Sequence, residues 1–229
     1  MDSELLRWVW AISEQLAIFD RHDAKWLDQN QKGEWTACEH GTCHEFLKKY
    51  SLLRGKKGAV FSGANCKTRR YLLALSQKVY SPALPTQNCT EEVARRLEEV
   101  DHMLCPTKLG RSFRKPQDGE LQMPSLTLKL FWFYQPKYVP MYDQYIVKGL
   151  RKNTDLKASH SAADFFKSFF DFADEKKTNL AEAQKYIPRI YPYKYRVVDK
   201  YLWLIGSGRE KEILENFSAG WKAVPYQSG

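Results

Sequence analysis

Nowhere along the 229 residues does an uncharged apolar run reach the ~18 positions a spanning helix needs, so no transmembrane segment is expected. Strand-type alternation is nearly absent, which argues against a sandwich or barrel. There is no internal repeat and no low-complexity tract. The N-terminal stretch "MDSELLRWVW" is acidic and amphipathic and lacks the cationic lead and apolar core of a signal, so a soluble, cytoplasmic protein is expected. Cysteine is sparse: Cys38, Cys43, Cys66, Cys89 and Cys105 are an odd number without a framework, which suits reduced thiols better than disulfides. A working phosphate-binding loop is missing too. In "GAVFSGANCKT", Lys67 falls three residues too late after Gly63 for such a loop, which argues against nucleotide hydrolysis. None of the five histidines forms a recognisable acid–base motif, which weighs against a helical nuclease or toxin.

What the chain does have is apolar mass and positive charge. A hydrophobic share of 43% is ordinary for a folded protein and argues against disorder over most of the length. Thirty-six Lys and Arg against 27 Asp and Glu leave a formal charge of +9, which favours a polyanionic partner because each phosphate contact releases a counterion. Helical spacing recurs throughout. Leu5, Trp8, Ala11, Ile12, Leu16 and Phe19 predict a helix from Glu4 to Phe19. Val93, Leu97, Val100 and Leu104 predict another from about Thr90, with Glu91 and Glu92 in its first turn, and a third runs from Asn65 or Cys66 to about Val79. "PSLTLKLFWFY", residues 124–134, carries only Lys129 as a charge and reads as a buried helix ended by Pro136. After "QPKYVP" a new helix is expected over Tyr142–Leu150. "HSAADFFKSFFDF" opens on a capping box, Ser161 to Asp164, and sets Phe165, Phe166, Phe169 and Phe170 on one side. Two last helices, "YKYRVVDKYLWLIG" and "EKEILENFSAGW", are expected to be separated by Gly206, Ser207 and Gly208. The fold expectation is all-α, with about eight to ten helices, as one helical unit over 1–229 or two interleaved lobes of about 1–120 and 121–229.

Two segments concentrate cations. "RGKKGAVFSGANCKTRR" holds Lys56, Lys57, Lys67, Arg69 and Arg70 and runs into an expected helix N-terminus, whose amides suit a phosphate. "KLGRSFRKPQDGE" adds Arg111, Arg114 and Lys115. Either alone reads equally well as a solvated loop; the pair points to nucleic acid. "TACEHGTCHEF" groups Cys38, His40, Cys43 and His44, which are too close together to surround one tetrahedral ion. A zinc site would instead pair Cys38 and Cys43 with His102 and Cys105, at loose spacings. Free thiols are the expectation, and neither metal nor cofactor is assigned.

Asp143 stands alone among aromatic residues and prolines in "YVPMYDQYIVKGL". With Pro140 at or just before the first turn, Asp143 lies in the N-terminal turn of the next helix, facing unpaired amides and the positive end of the dipole. That environment suits a plain capping residue and an ionised functional carboxylate alike.

An apolar helix, a proline link and then Val139, Pro140, Met141, Tyr142 and Asp143 resemble the catalytic segment of the helix-hairpin-helix DNA glycosylase superfamily, nearest to its 8-oxoguanine-glycosylase-like branch. There the acid follows a Val-Pro-x-Asp pattern; here the spacing is one residue longer. "YRVVDKYLWLIG", residues 195–206, is similar to a segment of relatives of that branch, so the likeness covers about the second half of the chain. The resemblance implies a two-lobed helical architecture with a cleft and double-stranded DNA carrying a damaged or modified base as partner. It implies Asp143 as the catalytic carboxylate: breaking a base–sugar bond builds positive charge on the sugar, which a fixed anion stabilises while it orients or deprotonates water. The base must leave the duplex for a pocket, with Trp132, Tyr142 and Tyr145 as candidate walls. Asp199 is a candidate second polar group, or else an ion pair with Arg196 three residues earlier on its helix. The family's glycine hairpin is absent before Pro124, which leaves phosphate gripping to the basic loops. No lysine occupies positions 123–125, where bifunctional members carry their nucleophile. Lys129 is nearer the acid but is expected to face elsewhere, so a monofunctional, water-using monomer is the expectation. Two roles fit, DNA repair in the cytoplasm or at the nucleoid and defence against phage with modified DNA. A non-catalytic nucleic-acid-binding module remains the alternative.

Overall fold

The computed structural model describes residues 1–31, 94, 95, 128, 129, 132 and 136–221. Every regular element among them is helical. In chain order these are α1 (Ser3–Ile18), a π-helical turn (Phe19–Asp23), α2 (Ala24–Gln31), α3 (Gln144–Asn153), α4 (Ala162–Glu175), α5 (Lys177–Gln184), α6 (Lys194–Ser207) and α7 (Glu210–Gly220). Among the described residues no helix is long and apolar enough to cross a membrane. The chain divides into two compact units, residues 1–21 with 136–229, and residues 22–135. In the second unit, α2 buries Trp26 and Leu27. Ala94, Leu128 and Trp132 are buried helical positions of the segments expected near Thr90 and over 124–134. The helix expected over 65–79, both basic loops and the Cys/His cluster lie outside the described residues.

The first unit is organised by α6, which packs against α1, α3 and α7. Helices with several partners are buried on several sides, and α6 hides Val197, Val198, Tyr201, Leu202 and Leu204 together with the polar Arg196 and Asp199. α1 starts at Asp2, whose side chain accepts the Leu5 N–H at 2.7 Å. Its middle turn, Trp8 to Ile12, is buried all round because α1 lies against α5, α6 and α7. Only one apolar face was expected there. Trp8 stacks on Tyr201 with ring centres 3.9 Å apart, and Glu4 accepts from both Trp8 Nε1 (3.1 Å) and the Tyr201 hydroxyl (2.7 Å). Burial and that carboxylate together push the Tyr201 hydroxyl well above the usual phenol range. Arg7 joins Glu4 (3.0 Å) to Glu210 of α7 (2.6 Å).

α4 begins at the expected capping box, with the Asp164 N–H donating to Ser161 Oγ and the Ser161 N–H donating to Asp164 Oδ2. Phe165, Phe166 and Phe169 are buried as expected, joined by Phe172, while Phe170 is half-buried. Each buried ring contributes about 1.5–3 kcal/mol of transfer free energy.

Two helix bounds are corrected. The helix expected over Tyr142–Leu150 runs Gln144–Asn153, and residues 141–143 precede it in non-helical conformation. The helix expected to stop at Gly206 continues through Ser207, and Gly208 ends it in left-handed conformation at φ 74°. The π-turn, α2 and α5 were not anticipated. α5, "KTNLAEAQ", buries only Ala183, so its apolar pattern is too thin to read.

Candidate functional site

Four of the side chains singled out from the sequence, Tyr142, Asp143, Tyr145 and Asp199, belong to α3, the segment leading into it, and α6, which cross. The two helices approach backbone to backbone. A Cβ on Gly149 of α3 would fall against the Leu202 carbonyl oxygen of α6, and one on Gly206 of α6 against the Tyr145 carbonyl oxygen of α3. Glycine at both points permits the close approach, as no other residue would. The first turn of α3 lies against Gly206 and Trp203, and Met141, three residues before the helix, reaches Asp199 of α6.

Asp143 is the N-cap of α3. Its backbone is extended (φ −144°, ψ 151°), and its Oδ1 accepts the Tyr145 N–H at 2.8 Å. This corrects the expected place inside the first turn, and the cause is local: a residue whose side chain caps an amide two positions on adopts extended angles. The carboxylate is half-buried, and its other oxygen makes no hydrogen bond among the described residues. Val139 and Met141 are buried, at 0% and 3% exposure, so the segment leading to the acid is packed and not a free loop.

Asp199 lies beneath that segment, only 1% exposed. Its Oδ2 accepts the Met141 N–H at 2.9 Å and an N–H from Arg196 Nη1 at 3.2 Å, so the Arg196 ion pair is present, with the Met141 amide as a third member. Oδ1 is buried without a hydrogen-bond partner among the described residues. Burial pushes the Asp199 carboxyl from its ordinary 3.8 up to about 7, against the pull of Arg196 and the Met141 amide, and the Asp143 charge adds to the rise.

The two tyrosines flanking Asp143 are both engaged. Tyr142 puts its ring edge-on to Phe165, centres 4.9 Å apart, and its hydroxyl lies 3.3 Å from His160 Nε2. The other ring nitrogen of His160 is 3.1 Å from the Lys157 carbonyl oxygen. If that nitrogen carries the proton, Nε2 is free to accept from Tyr142. Tyr145 meets Trp203 edge-on at 5.8 Å, with Lys148 Nζ 5.4 Å from its ring centre. Trp203 in turn stacks on Trp10, ring centres 6.5 Å apart, and Lys200 Nζ lies beside both, 4.7 Å from the Trp203 centre and 5.4 Å from that of Trp10. Burial lowers the Lys200 ammonium below its usual range, although Glu14 stands 3.7 Å away.

Of the remaining candidates, Trp132 is fully buried and Lys129 half-buried, both helical and both in the second unit. Lys56, Lys57, Lys67, Arg69, Arg70, Arg111, Arg114 and Lys115 lie outside the described residues, as do Cys38, His40, Cys43 and His44. Among the described residues no three His, Cys, Asp or Glu side chains gather as a metal site would require. A polar hollow of about 540 Å³ opens between the α3–α4 link and α4, lined by Lys157, His160, Asp164, Lys167, Asp171 and neighbouring side chains. A second hollow, of about 800 Å³, runs along α7 beside Leu6, Lys152 and Ile205. Asp143 lines neither of them.

Sequence reasoning missed His160, Trp203 and Lys200, as well as both glycines of the crossing. The glycines left a signal, since each interrupts an otherwise good helix former, in "YIVKGL" and "LWLIGS". His160 left one too, standing directly before the capping Ser161. The chain matches no protein-family model, no curated protein and no solved structure.

Proposed function

We propose that the protein is a monofunctional DNA glycosylase, which hydrolyses the N-glycosidic bond of a flipped-out damaged or modified base and leaves an abasic site. The observation that carries the reading is Asp143 itself: a half-buried carboxylate at a helix N-terminus, one oxygen tied to the Tyr145 amide and the other open as far as the described residues go. Tying one oxygen fixes the direction of the charge, while the open oxygen is left to face a sugar cation or the attacking water. The net charge of +9 supports a nucleic-acid substrate, and the Val139–Asp143 resemblance supports the bond that is cut. Repair of damaged bases and removal of modified phage bases both follow from the same chemistry.

One observation favours a second reading, a nucleic-acid-binding module without catalysis. Among the described residues, the only hydrogen bond of the Asp143 carboxylate is accepted from an amide of its own helix, as in a simple cap. The deciding experiment incubates the protein with unmodified and heavily modified phage genomes and identifies any free base by mass spectrometry. The glycosylase reading expects release from at least one DNA and a fall on the order of 10²–10³-fold in Asp143→Asn, with DNA affinity retained. Release undiminished in that variant removes Asp143 from the chemistry. No release by the unaltered protein from any DNA leaves the binding module.

A further inference from the structure

We propose that Asp199 is the positioning residue for Asp143: by accepting the Met141 N–H it clamps the segment before the acid to α6, and so sets where the Asp143 carboxylate points. As a role in a reaction this rests on the glycosylase reading; as geometry it stands by itself.

The tether is long-range, since the Met141 amide and the Asp199 carboxylate are 58 positions apart in the chain. An Arg–Asp pair at i,i+3 forms easily on a helix surface and would not have required burial. Here the pair is turned inward, 10% and 1% exposed, and the carboxylate oxygen that meets Arg196 also receives a backbone amide from outside its own helix. Sinking a carboxylate this deeply is costly, and its Oδ1 gains no hydrogen bond among the described residues in return. A residue present only to fill space would be apolar. Placement of an amide accounts for the arrangement.

The amide lies two residues before Asp143. Two residues after the acid comes Tyr145, whose N–H holds the Asp143 carboxylate and whose carbonyl oxygen rests against Gly206 of α6. Asp143 therefore stands between two attachments to the same helix, a hydrogen bond on one side and a backbone contact on the other. Both lie on one face of α6, because residues 199 and 206 are seven positions apart, nearly two full turns. Loss of the Met141 attachment leaves this segment held only by the packing of Val139 and Met141 and lets the cap shift. Misplacement of a reacting group by about 1 Å suffices to lower a rate about 100-fold.

The test compares Asp199→Asn, whose side-chain oxygen still reaches the Met141 N–H, with Asp199→Ala, which removes the acceptor. Amide hydrogen exchange at Met141 and Tyr145 is followed by NMR, and base release from modified phage DNA is measured beside DNA affinity. The expected result for Asp199→Asn is protection at both amides and a release rate within about fivefold of the unaltered protein. Asp199→Ala is expected to lose protection at Met141 and also at Tyr145, with release about 100-fold slower and DNA affinity within about twofold. Tyr145 protection unchanged in Asp199→Ala overturns the inference, because the clamp then does not reach the acid. Release lost in Asp199→Asn while Met141 stays protected overturns it as well, since the charge would then matter and not the position. Should Asp199→Ala fail to fold, the Asp199→Asn arm decides. If the unaltered protein releases no base, the glycosylase reading falls, and exchange at Tyr145 still decides whether Asp199 holds Asp143.

Discussion

Replacing Asp199 by Asn removes one titration from the folded protein, and the effect on stability has a definite sign. In the fold, burial holds this carboxyl protonated up to about pH 7, whereas in the unfolded chain it ionises near its ordinary 3.8. Between those values the folded state binds a proton that the unfolded state has released, so stability falls as pH rises. The contribution is complete below about pH 4, declines through the window and is gone above about pH 7. A displacement of roughly three pH units amounts to a few kcal/mol over the whole window, and more than half of it falls between pH 5 and 8. Other groups titrate in the same range, so the quantity to measure is a difference. Urea unfolding of the unaltered protein and of Asp199→Asn at several pH values and constant ionic strength gives two curves. The first minus the second is expected to drop by roughly 2 kcal/mol or more from pH 5 to 8 and then level off. A difference that rises with pH would refute the reasoning, because Arg196 and the Met141 amide would then be holding the ionised form against the cost of burial. A flat difference refutes it too, by showing the same titration in both states.

Two further outcomes test the frame around the site. Gly206→Ala places a methyl group against the backbone of α3, which cannot swing aside as a side chain can. It is expected to destabilise by about 2 kcal/mol or more in urea unfolding despite a helix-propensity gain of roughly 1 kcal/mol, while Gly220→Ala on α7, where nothing lies within reach, is expected to be neutral or stabilising. Equal effects of the two substitutions would show that the crossing is not close. Tyr201→Phe removes a donor to the partly buried Glu4 carboxylate and is expected to cost about 1.5–2 kcal/mol by thermal unfolding; no loss would mean that Arg7 and Trp8 suffice for Glu4.

Within the described residues, much of the local structure was readable because its causes lie within a few positions of one another. Ser161 and Asp164 cap α4 from three residues apart, and the phenylalanines behind them keep helical spacing. The same holds for α1, whose apolar run predicted Glu4–Phe19 where the helix spans Ser3–Ile18. The π-turn that follows has no such local marker. α5 escaped notice because it is short and buries little.

The functional candidate divides along the same line. That Asp143 begins a helix after two prolines, next to unpaired amides, is a property of adjacent residues and was legible without coordinates. Its place outside the first turn was not, because neighbouring residues alone do not tell a carboxylate inside the turn from one that caps it from just outside. From the sequence alone, Asp199 was either the i,i+3 partner of Arg196 or a polar group of the site. The tertiary structure makes it the acceptor of an amide 58 residues away, at the depth that shifts its protonation toward neutrality. Sequence determines which side chains exist and which short-range bonds they favour. Only the backbone-to-backbone crossing at Gly149 and Gly206 decides that a buried carboxylate on one helix meets the start of another.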